Sequence, residues 1–308
     1  MSATKTIHWI RDERFLTHSL YEARLTSEYR EHVQTVMEAV WTEIERLERL
    51  LSPDDERSTL LQLNREAGRH DVELDYEMVA ILEDCQRWYR RTGGYYDVTA
   101  GHHQKFCQKS WAGIDVHSGE EGLPYVVDRR LRTVRFNNPS VQLDLDGYRQ
   151  AYALDSATHV LLQFAVFSGF LSVGPLSLAI GPQPSGEPWV AQVPNLVDPD
   201  SVPSLGDIGL VECALCTLPV PSRLTLDGVP SSAAAGSRNS RHPDGQCTVI
   251  AATALEALAL CTAAANMGRE EAAAFAEEVF APQDGISIGW GNFDAETGPQ
   301  FEWLVEAQ

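Results

Sequence analysis

The sequence has no long hydrophobic segment. A run of about eighteen apolar residues, the length that a membrane-spanning helix needs, occurs nowhere in the chain. The first residues, MSATKTIHWIRDERF, contain neither the apolar centre of a secretion signal nor a cysteine for lipid attachment. From these absences we expect a soluble, cytoplasmic protein with no membrane insertion.

Positive charge is also scarce. Against 44 aspartate and glutamate residues there are 24 lysine and arginine residues, which gives a net charge of −20. A chain of this charge repels phosphate backbones and anionic lipid headgroups, and no cluster of basic residues offsets the repulsion. The composition therefore argues against nucleic acid as a partner.

Cysteine and histidine are sparse, and their spacing indicates little chemistry. Of six cysteines only Cys213 and Cys216 are close together, and a single such pair is a weak zinc signal. Residues 212–220 have the character of a strand, which favours ordinary thiols, and disulfides are not expected in the cytosol. The adjacent His102 and His103 would point to opposite faces of an extended segment, which disfavours joint metal binding.

The chain is organised around residues 143–181. A short apolar run ends in Asp144-Leu145-Asp146-Gly147 and leads towards an amphipathic helix that carries Ala157, Val160, Leu161 and Phe164. A strand at 170–173 and the pair Gly174-Pro175 follow. A glycine turn beside a helix N-terminus favours a phosphate-bearing ligand, although an ordinary strand-to-helix corner has the same pattern.

The remaining elements are predicted from apolar periodicity. An apolar stripe from Ser27 to Leu51 predicts a helix that stops at Ser52-Pro53. A second amphipathic helix is predicted over 75–91, closed by Gly93-Gly94. Further predicted elements are a hairpin at 123–138, a strand at 247–252 and helices at 255–267 and 269–280.

Four short motifs resemble those of one protein family and follow each other in that family's order. The central stretch, Asp144 to Gly147 followed by Tyr152-Ala153-Leu154-Asp155, is similar to Asp-Leu-x-Gly…(Lys or Glu)-Gly-Tyr-Ala-x-Asp. The other three are STLLQLN from Ser58 to Asn64, GGYYDVTAG from Gly93 to Gly101, and TVIA from Thr248, which leads to a helix ending in Asn266-Met267-Gly268. Together they resemble the ApbE family, the FAD:protein FMN transferases.

The resemblance implies an α+β fold in which mixed or antiparallel sheets are flanked by helices. It divides the chain into an N-terminal extension with a first strand over 1–25 and a single ApbE-like domain over 26–308, in which 182–204 is a candidate sub-domain insertion. It implies FAD as substrate or ligand. It also implies a protein partner, either an acceptor flavoprotein or an assembly partner.

The family reaction moves FMN from FAD onto a serine or threonine of a target flavoprotein and releases AMP. The family's acceptor sites read Asp-Gly-x-(Ser/Thr)-Gly-Ala-(Ser/Thr). Breaking a pyrophosphate builds charge on its oxygens, and a bound Mg²⁺ would neutralise that charge. Two alternatives stay open: a catalytically inactive homologue that acts as a flavin-binding or assembly subunit, and an FAD pyrophosphatase that yields FMN and AMP.

The resemblance assigns nucleotide-binding roles to five residues. Tyr95, Tyr96 and Asp97 belong to the loop that contacts the flavin nucleotide in the family, and for them a shielded helix C-cap is the alternative. Asp144 could accept from the hydroxyl groups of the nucleotide, or it could be a helix N-cap or a buried turn carboxylate. Gln150 takes the place of the lysine or glutamate that meets the nucleotide.

The resemblance also implies a metal site, with Gly147, Glu256 and Thr262 as its candidate residues. In the family a backbone carbonyl of the Asp-Leu-x-Gly turn joins an aspartate and a threonine one helical turn apart. Aligning Thr262 with the threonine places Leu258 at the aspartate. Aligning Glu256 with the aspartate instead places Leu260 at the threonine, so neither alignment keeps both side-chain ligands, and leucine cannot bind a metal.

His242 is the histidine that the resemblance places as a base or phosphate contact. It lies in Arg241-His242-Pro243-Asp244-Gly245, a shortened form of the family's His-x-x-Asp-Pro-x-x-Gly. A second departure follows Gly174, where Pro175 and Leu176 replace a Gly-Asp pair. Proline removes a backbone amide that could have donated to the ligand.

Overall fold

The computed structural model describes residues 7–99, 123–220, 245–280, 284–294 and 298–307. These residues form six α-helices and thirteen β-strands. The helices are α1 (Arg30–Leu50), α2 (Thr59–Glu66), α3 (Tyr76–Arg91), α4 (Asp146–Gln163), α5 (Ala254–Met267) and α6 (Arg269–Val279). The strands are β1 (His8–Leu16), β2 (Ser19–Ser27), β3 (Val72–Glu73), β4 (Tyr125–Asp128), β5 (Thr133–Phe136), β6 (Gly169–Val173), β7 (Leu176–Ile180), β8 (Trp189–Pro194), β9 (Ser204–Leu210), β10 (Ala214–Val220), β11 (Gly245–Ala251), β12 (Ser287–Asp294) and β13 (Gly298–Val305).

The main sheet has eight strands in the order β1-β2-β6-β7-β10-β11-β12-β13. A three-stranded sheet, β3-β5-β4, and a two-stranded sheet, β8-β9, complete the described strands, and all recorded pairings between them are antiparallel. This arrangement confirms the α+β fold with antiparallel sheets and flanking helices.

The β1–β2 hairpin is one edge of the main sheet. Its strands pair along their full length, and β2 then pairs with β6. The turn between them holds Thr17 and His18 at φ of 37° and 69°, as a tight two-residue hairpin turn requires. The boundary proposed at residue 25 therefore falls inside β2, and the division of the chain into 1–25 and 26–308 stays a prediction.

Helices α1, α4 and α5 pack on one face of the main sheet. The apolar stripe of α1 is buried there, as the sequence predicts, with Val36, Val40 and Trp41 fully covered. Helix α5 consists mainly of alanine and leucine and is buried on almost every side. A helix that is apolar all round belongs in the centre of a protein, which explains why α5 is in contact with strands β10 and β11 as well as with α4.

The β8–β9 hairpin covers the opposite face of the sheet. Trp189 of β8 stacks on Phe170 of β6, with ring centroids 5.9 Å apart. The buried side chain of Gln246 bonds to the end of β8 and the residues after it. Its nitrogen donates to the carbonyl of Pro194, and its oxygen accepts from the backbone amide of Leu196. The candidate insertion 182–204 thus contributes β8 to this small second layer.

Most predicted elements are confirmed, including the helices at α1 and α3, the hairpin β4–β5, and the run β11-α5-α6. One differs. The sequence places the amphipathic part of the central helix around residues 157–164, whereas α4 begins directly at Asp146. The Arg149 amide already donates to the Leu145 carbonyl at 2.7 Å, so the turn itself is the first helical turn.

No helix among the described residues has the length and apolar character needed to cross a bilayer. The cytoplasmic location inferred from the sequence stays a prediction.

Candidate functional site

Three elements meet at the start of α4: the loop 95–99, the turn 143–147 and helix α5. The amide of Asp144 donates to the carbonyl of Val98 at 2.7 Å. The side-chain amide of Asn266, near the end of α5, donates to the carbonyl of Tyr95 at 2.9 Å. The elements that carry the predicted nucleotide and metal residues are therefore brought together.

Asn64 holds the turn from the other side. Its side-chain nitrogen donates to the Leu143 carbonyl at 2.9 Å, and its side-chain oxygen accepts from the Leu143 amide at 2.8 Å. The side chain thus pairs with the backbone as a neighbouring strand would. Ser58, at the other end of the same motif, is the N-cap of α2 and accepts from the Leu61 amide at 3.0 Å.

Asp155 joins α4 to the N-terminus of α5. Its two oxygens accept from the amides of Ala254 at 2.8 Å and Leu255 at 3.0 Å. Burial raises the pKa of Asp155 to about 6, and the two amide donors oppose that rise. The last aspartate of the central motif thus uses both carboxylate oxygens to join α4 to α5.

The predicted nucleotide residues of the loop lie in different environments. Tyr96 is buried, and burial raises the pKa of its hydroxyl. Tyr95 is half-buried and donates its hydroxyl to Glu271 of α6 at 2.5 Å. Asp97 accepts from both the amide and the hydroxyl of Thr99 at 2.7 Å each. Tyr95 and Asp97 keep some exposure, whereas Tyr96 faces the core.

Asp144 and Gln150 also occupy distinct positions. Asp144 is exposed and accepts from the Asp146 amide at 3.1 Å, so it helps to start α4 and is not a buried carboxylate. Gln150 is 7% exposed and donates to the Ser19 hydroxyl at 3.0 Å. Gly174 lies beside it with a φ of +51°, where a Cβ would come within 3.3 Å of the Gln150 side-chain oxygen. Gln150 therefore connects α4 with the β1–β2 hairpin.

The residues at the expected metal position do not fit Mg²⁺, which takes hard oxygen ligands in octahedral geometry. Both δ-methyl groups of Leu258 lie 3.4 Å from the place where a Cβ on Gly147 would be. Glu256 instead forms an ion pair with Arg91 at 3.2 Å. Thr262 is partly buried, and within the described parts of the chain no group of three or more His, Cys, Asp or Glu residues is arranged to hold a metal.

His242 lies outside the described residues, so its role as a base or phosphate contact stays a prediction.

A buried charge pair lies under the start of α4. Arg149 and Glu48 have fully or almost fully buried side chains and are joined at 2.9 Å. Arg149 also contacts the exposed Asp146 at 2.5 Å, and Tyr21 donates its hydroxyl to Glu48. Burial and the Glu48 charge raise the pKa of Tyr21. Sequence reasoning missed this pair, although Glu48 offered a signal because it interrupts the apolar stripe of α1.

Two surface cavities lie away from the turn 143–147 and α5. One, of about 710 Å³, lies at the far end of α4 beside Phe164 and Phe167. The other, of about 660 Å³, lies between α3 and β4 beside Tyr89, Arg90 and Tyr125.

Comparison with known families gives one match that covers most of the chain. The sequence model of the ApbE family matches residues 17–285. A curated relative, the FAD:protein FMN transferase of Treponema pallidum, is 24% identical over 163 residues. That alignment covers 48% of this chain and 45% of the relative, so the chain spans less than half the length of the curated relative it matches.

Solved structures share the fold over nearly the whole chain. The ApbE protein of Thermotoga maritima has a TM-score of 0.72 and 23% identity, with 96% of this chain and 97% of that chain covered. The flavin transferase ApbE of Vibrio cholerae has a TM-score of 0.72 and 15% identity, with 97% of each chain covered. The apo form of the Pseudomonas stutzeri flavinyl transferase ApbE has a TM-score of 0.73 and 16% identity, with 96% of this chain and 94% of that chain covered.

Proposed function

Because the chain belongs to the ApbE family, we propose that it binds FAD and transfers the FMN half onto a serine or threonine hydroxyl of an acceptor protein, releasing AMP. The observation that supports this function best is the set of contacts that joins the family motifs around the start of α4. Asn64, Asp144, Asp155 and Asn266 each bond to a backbone group of another motif or of its flank. Four motifs that are far apart in sequence therefore form one connected region.

The chemistry proposed at this region is a substitution at phosphorus. The acceptor hydroxyl oxygen forms a bond to the FMN phosphorus, the bond from that phosphorus to the bridging oxygen breaks, and AMP leaves with the bridging oxygen. The hydroxyl proton passes to a base, for which His242 is the candidate. The N-terminus of α4 favours the phosphate groups, since the first amides of a helix point outwards and carry partial positive charge.

The start of α4 offers little positive charge to neutralise the negative charge of the phosphates. Asp144 and Asp146 are exposed carboxylates at the helix start, and both oppose an anion. The metal that would offset them does not fit between Gly147 and Leu258. We therefore derive no step of the reaction through a metal ion.

A second candidate function is a flavin-binding subunit without catalytic activity. The contact between Leu258 and Gly147 favours it, because methyl groups lie where the family resemblance places an aspartate ligand for the metal. Such a subunit would keep the nucleotide-binding region and lose only the step that breaks the pyrophosphate.

The test is an incubation of the purified full chain with FAD and an acceptor protein that carries the Asp-Gly-x-(Ser/Thr)-Gly-Ala-(Ser/Thr) sequence. The proposed transfer attaches FMN covalently, seen as a mass increase and in-gel flavin fluorescence, and it releases AMP in equal amount. An acceptor whose final Ser/Thr is replaced by alanine is the matched control and must stay unlabelled. AMP and free FMN without labelling would indicate a pyrophosphatase, and FAD binding without any product would indicate the binding subunit.

A further inference from the structure

The contact between α5 and the start of α4 carries an inference about metal binding. We propose that Leu258 occupies the place of a metal ligand and by itself keeps divalent cations out of the space between Gly147 and Thr262. A consequence, which rests on the proposed function, is that this chain binds its flavin nucleotide without a metal ion at this position.

The position of the Leu258 side chain is the first argument. The side chain is 5% exposed. Each of its two methyl carbons lies 3.4 Å from the point where a Cβ on Gly147 would be. Methyl groups offer no lone pair, and Mg²⁺ retains several of its waters when it binds to a protein. A cation here would have to leave that hydration shell for an apolar surface, which is strongly unfavourable.

The register of α5 is the second argument. Leu258 and Thr262 are one helical turn apart and therefore project from the same face of the helix. The Thr262 hydroxyl has no hydrogen-bond partner among the side chains and backbone groups that the structure describes. A carboxylate at position 258 would thus face the Gly147 turn with the Thr262 hydroxyl one helical turn away, which makes Leu258 the determining residue.

Three nearby carboxylates are engaged elsewhere, which is the third argument. Glu256 projects from a different side of α5 and forms an ion pair with Arg91 at 3.2 Å. Asp155 uses both oxygens on the first amides of α5. Asp146 pairs with the buried Arg149 at 2.5 Å. Each would have to give up an existing partner to replace the missing ligand.

The experiment is a titration of the full chain with Mn²⁺ in the absence of flavin. Free Mn²⁺ is followed by its electron paramagnetic resonance signal, which is lost on binding. We expect no binding by the unmodified chain up to millimolar Mn²⁺. The Leu258→Asp variant should bind one Mn²⁺ and do so at least about tenfold more tightly than Leu258→Asn, which has the same shape without the charge.

Two further variants locate the ion. Adding Thr262→Ala to Leu258→Asp should weaken Mn²⁺ binding, because the hydroxyl on the same helix face is lost. Adding Glu256→Gln should leave it unchanged. The proposal is overturned if the unmodified chain binds one Mn²⁺ as tightly as Leu258→Asp, or if a folded Leu258→Asp protein, checked by circular dichroism, binds none.

A buried aspartate can prevent folding, so the titration of the unmodified chain stands as an independent test. Flavin binding is measured separately, by titrating the unmodified chain with FAD in Mg²⁺ and in EDTA. Equal affinities support metal-free binding, whereas a loss of affinity in EDTA overturns it. If FAD does not bind at all, the proposed function fails while the Mn²⁺ result still decides the role of Leu258.

Discussion

Asn64 and Gly147 lie on either side of the same turn, and their surroundings differ in kind. Asn64 exchanges two hydrogen bonds with the backbone of Leu143, whereas the atoms nearest to a Cβ placed on Gly147 belong to the Leu258 side chain. The first contact stabilises the fold whether or not a ligand is present. The second lies where the family resemblance places a metal ligand, and a leucine there adds apolar burial.

The same contrast holds elsewhere in the region. Asp155 and Asn266 match the family motifs and bond within the protein, whereas Gln150 and Glu256 stand at predicted ligand positions and have taken protein partners, Ser19 and Arg91. We infer that the motifs of this chain preserve the residues that hold the site together, which we call its framework. They preserve the residues that would contact a ligand less well. Three substitutions test how much each framework contact contributes.

The largest effect is expected for Arg149→Met. Removing the guanidinium leaves the Glu48 carboxylate buried and unpaired, which should lower the free energy of unfolding by about 3–5 kcal/mol in urea denaturation. The double variant Arg149→Met/Glu48→Gln is the control and should be more stable than Arg149→Met alone, because no charge is left buried. A loss below about 1 kcal/mol for the single variant would show that the pair is not part of the framework.

Asp155 should give the protein a pH-dependent stability. Its pKa of about 6 in the folded protein lies above the ordinary value of 3.8, so between these values the folded state holds a proton that the unfolded state has lost. The stability contributed by this group is therefore present below about pH 4 and declines as the pH rises to about 6, by about 3 kcal/mol in all.

The Asp155→Asn variant isolates that decline, since an amide does not titrate. The difference in unfolding free energy between the variant and the unmodified chain should change by about 2.4 kcal/mol between pH 4 and pH 7, in favour of the variant at the higher pH. A difference that is constant with pH would mean that the amides of Ala254 and Leu255 fully offset the burial of the carboxylate.

A smaller effect is expected for Asn64→Ala. Two hydrogen bonds to the backbone of Leu143 are lost, and the partly buried backbone groups lose their partner, which should lower the unfolding free energy by about 2 kcal/mol. Gln62→Ala on the exposed side of the same helix is the matched control and should change stability by less than about 0.5 kcal/mol. Equal losses in the two variants would contradict a framework role for Asn64.

Local elements could be predicted well because their signals are local. The stripe of α1 and the alanine-rich α5 follow from apolar spacing over a few turns, and both helices are where the sequence places them. Glu48 shows the limit of that method. It lies inside the stripe, but only the packing of α4 against α1 reveals that Arg149 is its partner, 101 residues away.

The alignment of α5 shows a second limit. The sequence allows either Leu258 with Thr262 or Glu256 with Leu260 at the metal position, since both pairs are one helical turn apart. The structure turns Leu258 towards Gly147 and Glu256 towards Arg91. Spacing along a helix fixes which residues share a face, but not which face meets the neighbouring turn.

The sequence alone determined the family, the class of fold and most of the helices, because motifs and apolar periodicity are properties of short segments. Tertiary structure alone decided which side chains connect the motifs around the start of α4 and which side chain fills the expected metal position. Those outcomes depend on contacts between segments far apart in the chain, such as Asn64 with Leu143 and Gly147 with Leu258. The orientation of α5 on the sheet, set by burial of its apolar faces, places leucine rather than glutamate against the turn.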